Sequence, residues 1–242
     1  MLDWTQPENY LFTQNLSADE WAWEFLRRNK NYRREWSAFM TTWNALEAEY
    51  GKPPNRDFCA WKLDERAWIP AVQCSESDCR VDEDKVLIEC AMGARWGFHK
   101  FPPDPEDDKA VAENRLIWRE LTHRDEVIEV NAEDKDYLGE DQGKLALGFD
   151  LSKPVREQLE QAKRYLQLTQ KQRIRQGLVE LKTLKNMRNH LALCLRVSDA
   201  LNAGVDEEQM KQAFPGNDIT SLIRDSRHFL NKGYLELLEL AY

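Results

Sequence analysis

The sequence predicts an α+β protein, mostly α, with a small central β-sheet. Three observations predict it. Tryptophan-rich stretches at helical spacing open the chain. Short runs of branched apolar residues fill its middle. Helical spacing then dominates residues 152–242, interrupted by turns bearing glycine and proline. The corresponding domains are a Trp-rich helical region over 1–70, a mixed region over 71–151, and a basic helical region over 152–242.

Residues 1–16 are expected to form an extended arm, with Trp4, Tyr10, Leu11 and Phe12 as anchors. Ser17-Ala18-Asp19-Glu20 fits a capping box, in which serine and the glutamate three residues on satisfy each other's backbone donors. The helix it opens, ADEWAWEFLRRN, puts Trp21, Phe25 and Arg28 on one side. A second helix, about Tyr32 to Tyr50, carries Trp36, Phe39, Met40, Trp43 and Leu46 at helical spacing. The two form an aromatic helical hairpin, ended by Gly51-Lys52-Pro53-Pro54. Aromatics at this spacing are expected in a core, where burial makes them count most.

Residues 55–70 are irregular in pattern, with Trp61 and Trp68 expected against the hairpin. Residues 73–85 are polar and read as a loop. Val86 to Met92 is a short branched run, hence a strand, with Arg95 to Phe101 expected to pair with it across Gly93. Residues 126–130 alternate as a strand should, and Leu145 to Leu151 gives a further strand.

Ser152-Lys153-Pro154 opens a long helix with the apolar stripe Val155, Leu159, Ala162 and Tyr165/Leu166. A break is expected near Thr169. A helix from about Gln172 to Asn186 follows, bearing Arg173, Arg175, Lys182 and Lys185, and leads through Arg188 into three short helices. The first of these, HLALCLRVSDALN, ends at Ala203-Gly204. The second, Glu207 to Phe214, starts with acidic residues that suit a helix N-terminus. Pro215-Gly216-Asn217-Asp218 is a turn, with Asp218 as the N-cap of the third helix.

That third helix buries Ile219, Leu222, Ile223, Ser226, Phe229 and Leu230 on one stripe. At about 100° per residue its opposite face carries Ser221, Arg224 and His228, flanked by Thr220, Arg227 and Lys232. Gly233 is expected to stop it. An apolar back and a basic-polar front on the last of three short helices fit a helix-turn-helix-like DNA-binding unit. A plain three-helix bundle with a solvated cationic face would show the same pattern.

The net charge of −9 would by itself disfavour nucleic acid. Its distribution reverses that reading. Residues 151–242 hold 15 Lys and Arg against 11 Asp and Glu, and residues 1–150 hold 19 against 32. Local field, more than total charge, decides where a polyanion sits. Arg173, Arg175, Lys182, Lys185 and Arg188 are therefore expected at phosphates, and Arg224, Arg227, His228, Ser221, Thr220 and Lys232 on the reading helix.

Other chemistry is weakly represented. Cys74 and Cys79 form one loose pair, short of a structural zinc pattern, and no metal site or cofactor is expected. No phosphate-cradling glycine loop, HExxH or GxSxG occurs, and the four histidines are dispersed. No enzyme is expected. Five cysteines in a chain of this length fit reduced thiols. The start MLDWTQPENY lacks a signal peptide's basic and apolar stretches, and no run is long enough to span a bilayer, so the cytoplasm is the expected compartment.

Two stretches resemble known families. WAWEFLRRNKNYRREW at 21–36, preceded by Asp3-Trp4, is similar to the proteobacterial transcriptional-regulator-like domain. LALGFDLSKPVREQLEQAKRYL through IRDSRHFLNKGYLELL resembles DUF2285, a DNA-binding domain of type VI secretion transcription factors. The combination resembles activators of type VI secretion genes. It implies binding of double-stranded promoter DNA by a homo-oligomer, with a hexamer as one expected state and RNA polymerase as a candidate partner. The aromatic N-terminal half is the expected oligomer interface. The rival reading is a protein–protein adaptor that uses the aromatic hairpin and does not bind DNA.

Overall fold

The structure, a computed structural model, describes residues 2–74, 80–107, 110–111, 113, 115–119, 143–181 and 183–240. It is mostly helical with one small antiparallel sheet. The chain divides into two compact units, one of residues 1–121 with 183–242, the other of residues 122–182.

In the larger unit, the arm expected to be extended is a 3-10 helix over Pro7–Asn15, started by a proline in its first turn. Helix α1 (Ala18–Leu26) begins at Ser17, whose backbone N–H donates to Glu20 Oε2 at 2.6 Å, one half of the capping box. Helix α2 (Lys30–Tyr50) is capped by Asn29, whose side chain accepts from the N–H groups of Asn31 and Tyr32. Gly51 ends α2 at φ +84°, a conformation that glycine alone adopts without strain. Both helices are present, but they do not lie along one another as the expected hairpin would: α1 packs mainly on elements of the C-terminal residues, and α2 packs on the residues that follow it. Trp21, Trp23, Phe25 and Tyr32 are fully buried, as expected of core aromatics.

Helix α3 (Phe58–Leu63) and β1 (Trp68–Pro70) occupy the stretch read as irregular. Arg56 lies over Trp61 at 3.8 Å and Trp43 at 4.7 Å and donates to Glu47, which holds this corner to α2. The sheet has the order β1-β3-β2, with β2 at Arg80–Asp82 and β3 at Lys85–Leu87. Ile69 pairs with Val86, and β1 is an edge strand, where Pro70 is tolerated. The run expected as a strand through Met92 turns helical after Leu87. Ile88–Arg95 forms α4, which buries Cys90, Ala91, Met92, Gly93 and Ala94. A short apolar run suits a buried helix as well as a strand, and the small residues here permit close helical packing. Arg95 to Phe101 forms no strand; Phe98 makes a single bridge to Trp118. Residues 126–130, expected as a strand, and Cys79 lie outside the described residues.

In the smaller unit, residues 145–150 form no strand. Helix α5 (Val155–Arg175) runs unbroken through Thr169, and no residue of it is buried. Its expected stripe is present in spacing but faces solvent, with Val155, Leu159, Tyr165 and Leu166 all exposed. The break falls instead at 176–181, so the helix expected over about 172–186 does not form: its first residues end α5 and its last begin the helix that starts at Leu184.

Candidate nucleic-acid interface

Helix α6 (Leu184–Asn202) starts six residues before the expected first helix of the C-terminal unit, capped by Thr183. Lys185 and Arg188 therefore belong to its first turns. A turn at Ala203-Gly204, with Gly204 at φ +78°, leads to α7 (Glu207–Ala213), capped by Asp206. Residues 214–217 turn the chain again. Asp218 then accepts from the Ser221 N–H at 3.2 Å and caps α8 (Ile219–His228). Gly233 does not stop the chain: a π-helical turn over Phe229–Gly233 carries it into α9 (Tyr234–Leu237).

Two short helices joined by a tight turn and backed by a third form a helix-turn-helix-like unit. The back of α8 is sealed. Ile219, Leu222, Ile223 and Ser226 are buried, and Ser226 Oγ donates to the Cys194 carbonyl at 3.0 Å. Ser198 Oγ donates to the same carbonyl at 2.8 Å. Burial pushes the Cys194 thiol up to about 12. It stays protonated and acts as a small apolar group at this helix crossing.

The front of α8 carries Thr220, Arg224, Arg227 and His228 in the open, with Ser221 half-buried, and Asn231 and Lys232 continue it on the π-turn. Arg227 and Lys232 meet no acidic partner among the described residues. Arg224 donates from Nη2 to Ser221 Oγ at 2.8 Å and from Nε to Asp225 at 3.0 Å. Thr220 Oγ1 donates to Glu207 at 3.1 Å. His228 turns along the helix to Glu236, 3.0 Å away, over the bare Cα of Gly233, where a Cβ would stand 2.3 Å from the ring. Lys185 is exposed, and Arg188 donates to the Gln14 carbonyl. Arg173 and Arg175 lie on α5 in the other unit, with Arg173 donating to the Lys144 carbonyl at 2.9 Å. Lys182 is outside the described residues.

Two residues at this face escaped the sequence reading. Asn231 extends the row Arg224, Arg227, His228 by one further helical repeat, a signal available from spacing alone. Asp225 sits among the arginines and accepts from Arg224, with the His190 ring 3.2 Å away. That second partner joins α8 to α6, and no local pattern announces it.

The N-terminal segment is bolted to the same unit. Asp199 of α6 accepts from the Tyr10 hydroxyl at 2.7 Å and from Arg28 Nε at 2.9 Å. Asn202 donates to the Arg28 carbonyl at 2.9 Å, and Asn29 to the Leu230 carbonyl. Arg196 donates to the Trp4 carbonyl and lies over the Phe214 ring at 4.7 Å. Phe25 meets Phe229 with ring centres 5.0 Å apart.

Residues 3–58 match the family model of the proteobacterial transcriptional regulator-like domain. The matched segment spans the arm, α1, α2 and the first residue of α3. No curated protein and no solved structure matches the chain. No helix among the described residues is long and apolar enough to cross a membrane, and none of their His, Cys, Asp and Glu side chains cluster to hold a metal.

Proposed function

We propose that this protein is a sequence-specific DNA-binding transcriptional regulator that reads duplex DNA with the front of α8. One observation carries the reading: a helix-turn-helix-like unit with a sealed back and exposed Arg224 and Arg227 is packed directly on the segment similar to a transcriptional regulator-like domain. Arg224 is the base reader in this scheme, since an arginine in the major groove can donate twice to guanine. Arg227, Lys232 and Lys185 meet phosphates and fix the register. Arg173 and Arg175 belong to the phosphate-contacting set as well. Activation of type VI secretion genes, in the manner of RovC-like activators, and recruitment of RNA polymerase rest on the resemblance of the C-terminal half to DUF2285. Self-association belongs to the same reading, because one helix reads too few bases to specify a site alone. Sedimentation at micromolar concentration is expected to give a mass above the monomer, and a monomeric mass ends that part of it.

Two mutants separate the roles on α8 and α6. Against a site selected from genomic fragments, Arg224→Ala should lose about ten- to a hundredfold in affinity and keep its affinity for random duplex. Lys185→Ala should weaken both alike and shallow the salt dependence by about one unit. A folded Arg224→Ala that holds the selected site like wild type removes α8 as the reader. An absence of duplex binding altogether would favour an adaptor role.

A further inference from the structure

A cavity of about 640 Å³ lies where the end of α1, the start of α2, the N-terminal arm and the last turns of α6 meet. Its volume is in the range of small-molecule sites. The charges on its wall do not cancel. Glu24 and Asp199 are engaged by Arg28, and Glu106 pairs with Arg33. Lys30, on the same wall, has no acidic partner among the described residues.

Arg28 is more specific still. Its side chain is 12% exposed. Nε donates to Asp199, and Nη1 donates to the Glu24 carbonyl at 2.8 Å and to the Glu24 carboxylate. Nη2 is left without an acceptor among the described residues, on a guanidinium that lines the cavity. Donors of a largely buried guanidinium bind anionic oxygen most strongly. The carboxylates that could attract a cation are already engaged. Leu2 and Phe12 supply an apolar wall, partly exposed at 38% and 44%.

We propose that this cavity binds a small organic anion, its carboxylate or phosphate head on Arg28 Nη2 and Lys30 Nζ and its short apolar body against Leu2 and Phe12. Two of the lining residues, Asp199 and Asn202, belong to α6, the helix on which α8 packs. The ligand would therefore touch the support of the proposed reading helix. The site itself does not depend on whether α8 binds DNA.

Isothermal titration of the full chain tests it. The probes are hexanoate and hexyl phosphate, with inorganic phosphate as the head alone and 1-hexanol as the body alone. At least one of the two amphiphilic anions should bind at a single site, about tenfold or more tighter than either half-probe. Lys30→Ala should weaken that binding by about tenfold with an unchanged far-UV spectrum. Phe12→Ala should weaken it by about threefold or more. A preference for hexanoate assigns a carboxylate head, and one for hexyl phosphate a phosphate head. The proposal is overturned if neither amphiphile outbinds its halves, or if Lys30→Ala binds as wild type does.

Discussion

At the scale of residues, Asp199 shows how a buried charge can be kept. It is 1% exposed, yet Tyr10 and Arg28 both donate to it. Burial, then Asp199, pushes the Tyr10 hydroxyl well above its ordinary value, so it remains a donor. For Arg28, burial opposes the charged form, but Glu24 and Asp199 outweigh it and hold the guanidinium ionised. Removing one member strands the others. Asp199→Ala should cost about 3–5 kcal/mol in a urea melt; a loss under about 1 kcal/mol would mean that water already shares these groups. Glu89 is the opposite case. Its Oε2 is buried with no hydrogen-bond partner among the described residues, and burial lifts its carboxyl above the ordinary range. An acid raised in the folded state contributes its full stability below the unfolded pKa of about 4.3 and loses it as pH rises through the folded value. Glu89→Gln should therefore match wild type near about pH 4 and be the more stable protein at neutral pH. Equal thermal midpoints at neutral pH would contradict this.

At the scale of elements, the caps decide where helices begin, and they were the most legible features. Ser17, Asp218 and the acidic start of α7 each stand at a helix start in the structure, because a cap is a local bargain between one side chain and nearby N–H groups. Asp218→Ala should cost about 1 kcal/mol and fray the first turn of α8, seen as faster amide exchange at Ser221. Unchanged exchange there would show that packing alone holds the turn. The stripe on α8 was legible for the same reason, since Ile219, Leu222, Ile223 and Ser226 needed only spacing. Two kinds of feature were not. Val86 to Met92 turned helical after two residues because its fate depends on what packs against it. Thr220 and His228 find their partners on α7 and α9, so how much of this face is free to meet DNA could not be read from its spacing alone.

At the scale of the whole molecule, the two ends of the chain share one core. Residues 1–121 and 183–242 form a single compact unit, and α1 packs against α6 and α9. A separate C-terminal fragment would expose Phe229 and strip Asp199 of both its donors, Arg28 and Tyr10. Residues 183–242 expressed alone should consequently melt without a cooperative transition by circular dichroism, whereas a sharp melt would show that the unit needs no N-terminal helices. The shared core also ties the segment similar to the regulator-like domain to the helix proposed to read DNA, so the function is to be tested in the full chain. The most direct measurement is the anisotropy of a labelled duplex titrated with wild type and with Arg227→Ala/Lys232→Ala at several salt concentrations. The reading of α8 as a DNA-binding surface expects log affinity to fall steeply with log salt in wild type, and the double mutant to lose about two units of that slope. A wild-type chain that leaves the duplex unbound at low salt, or a double mutant with an unchanged slope, would contradict it.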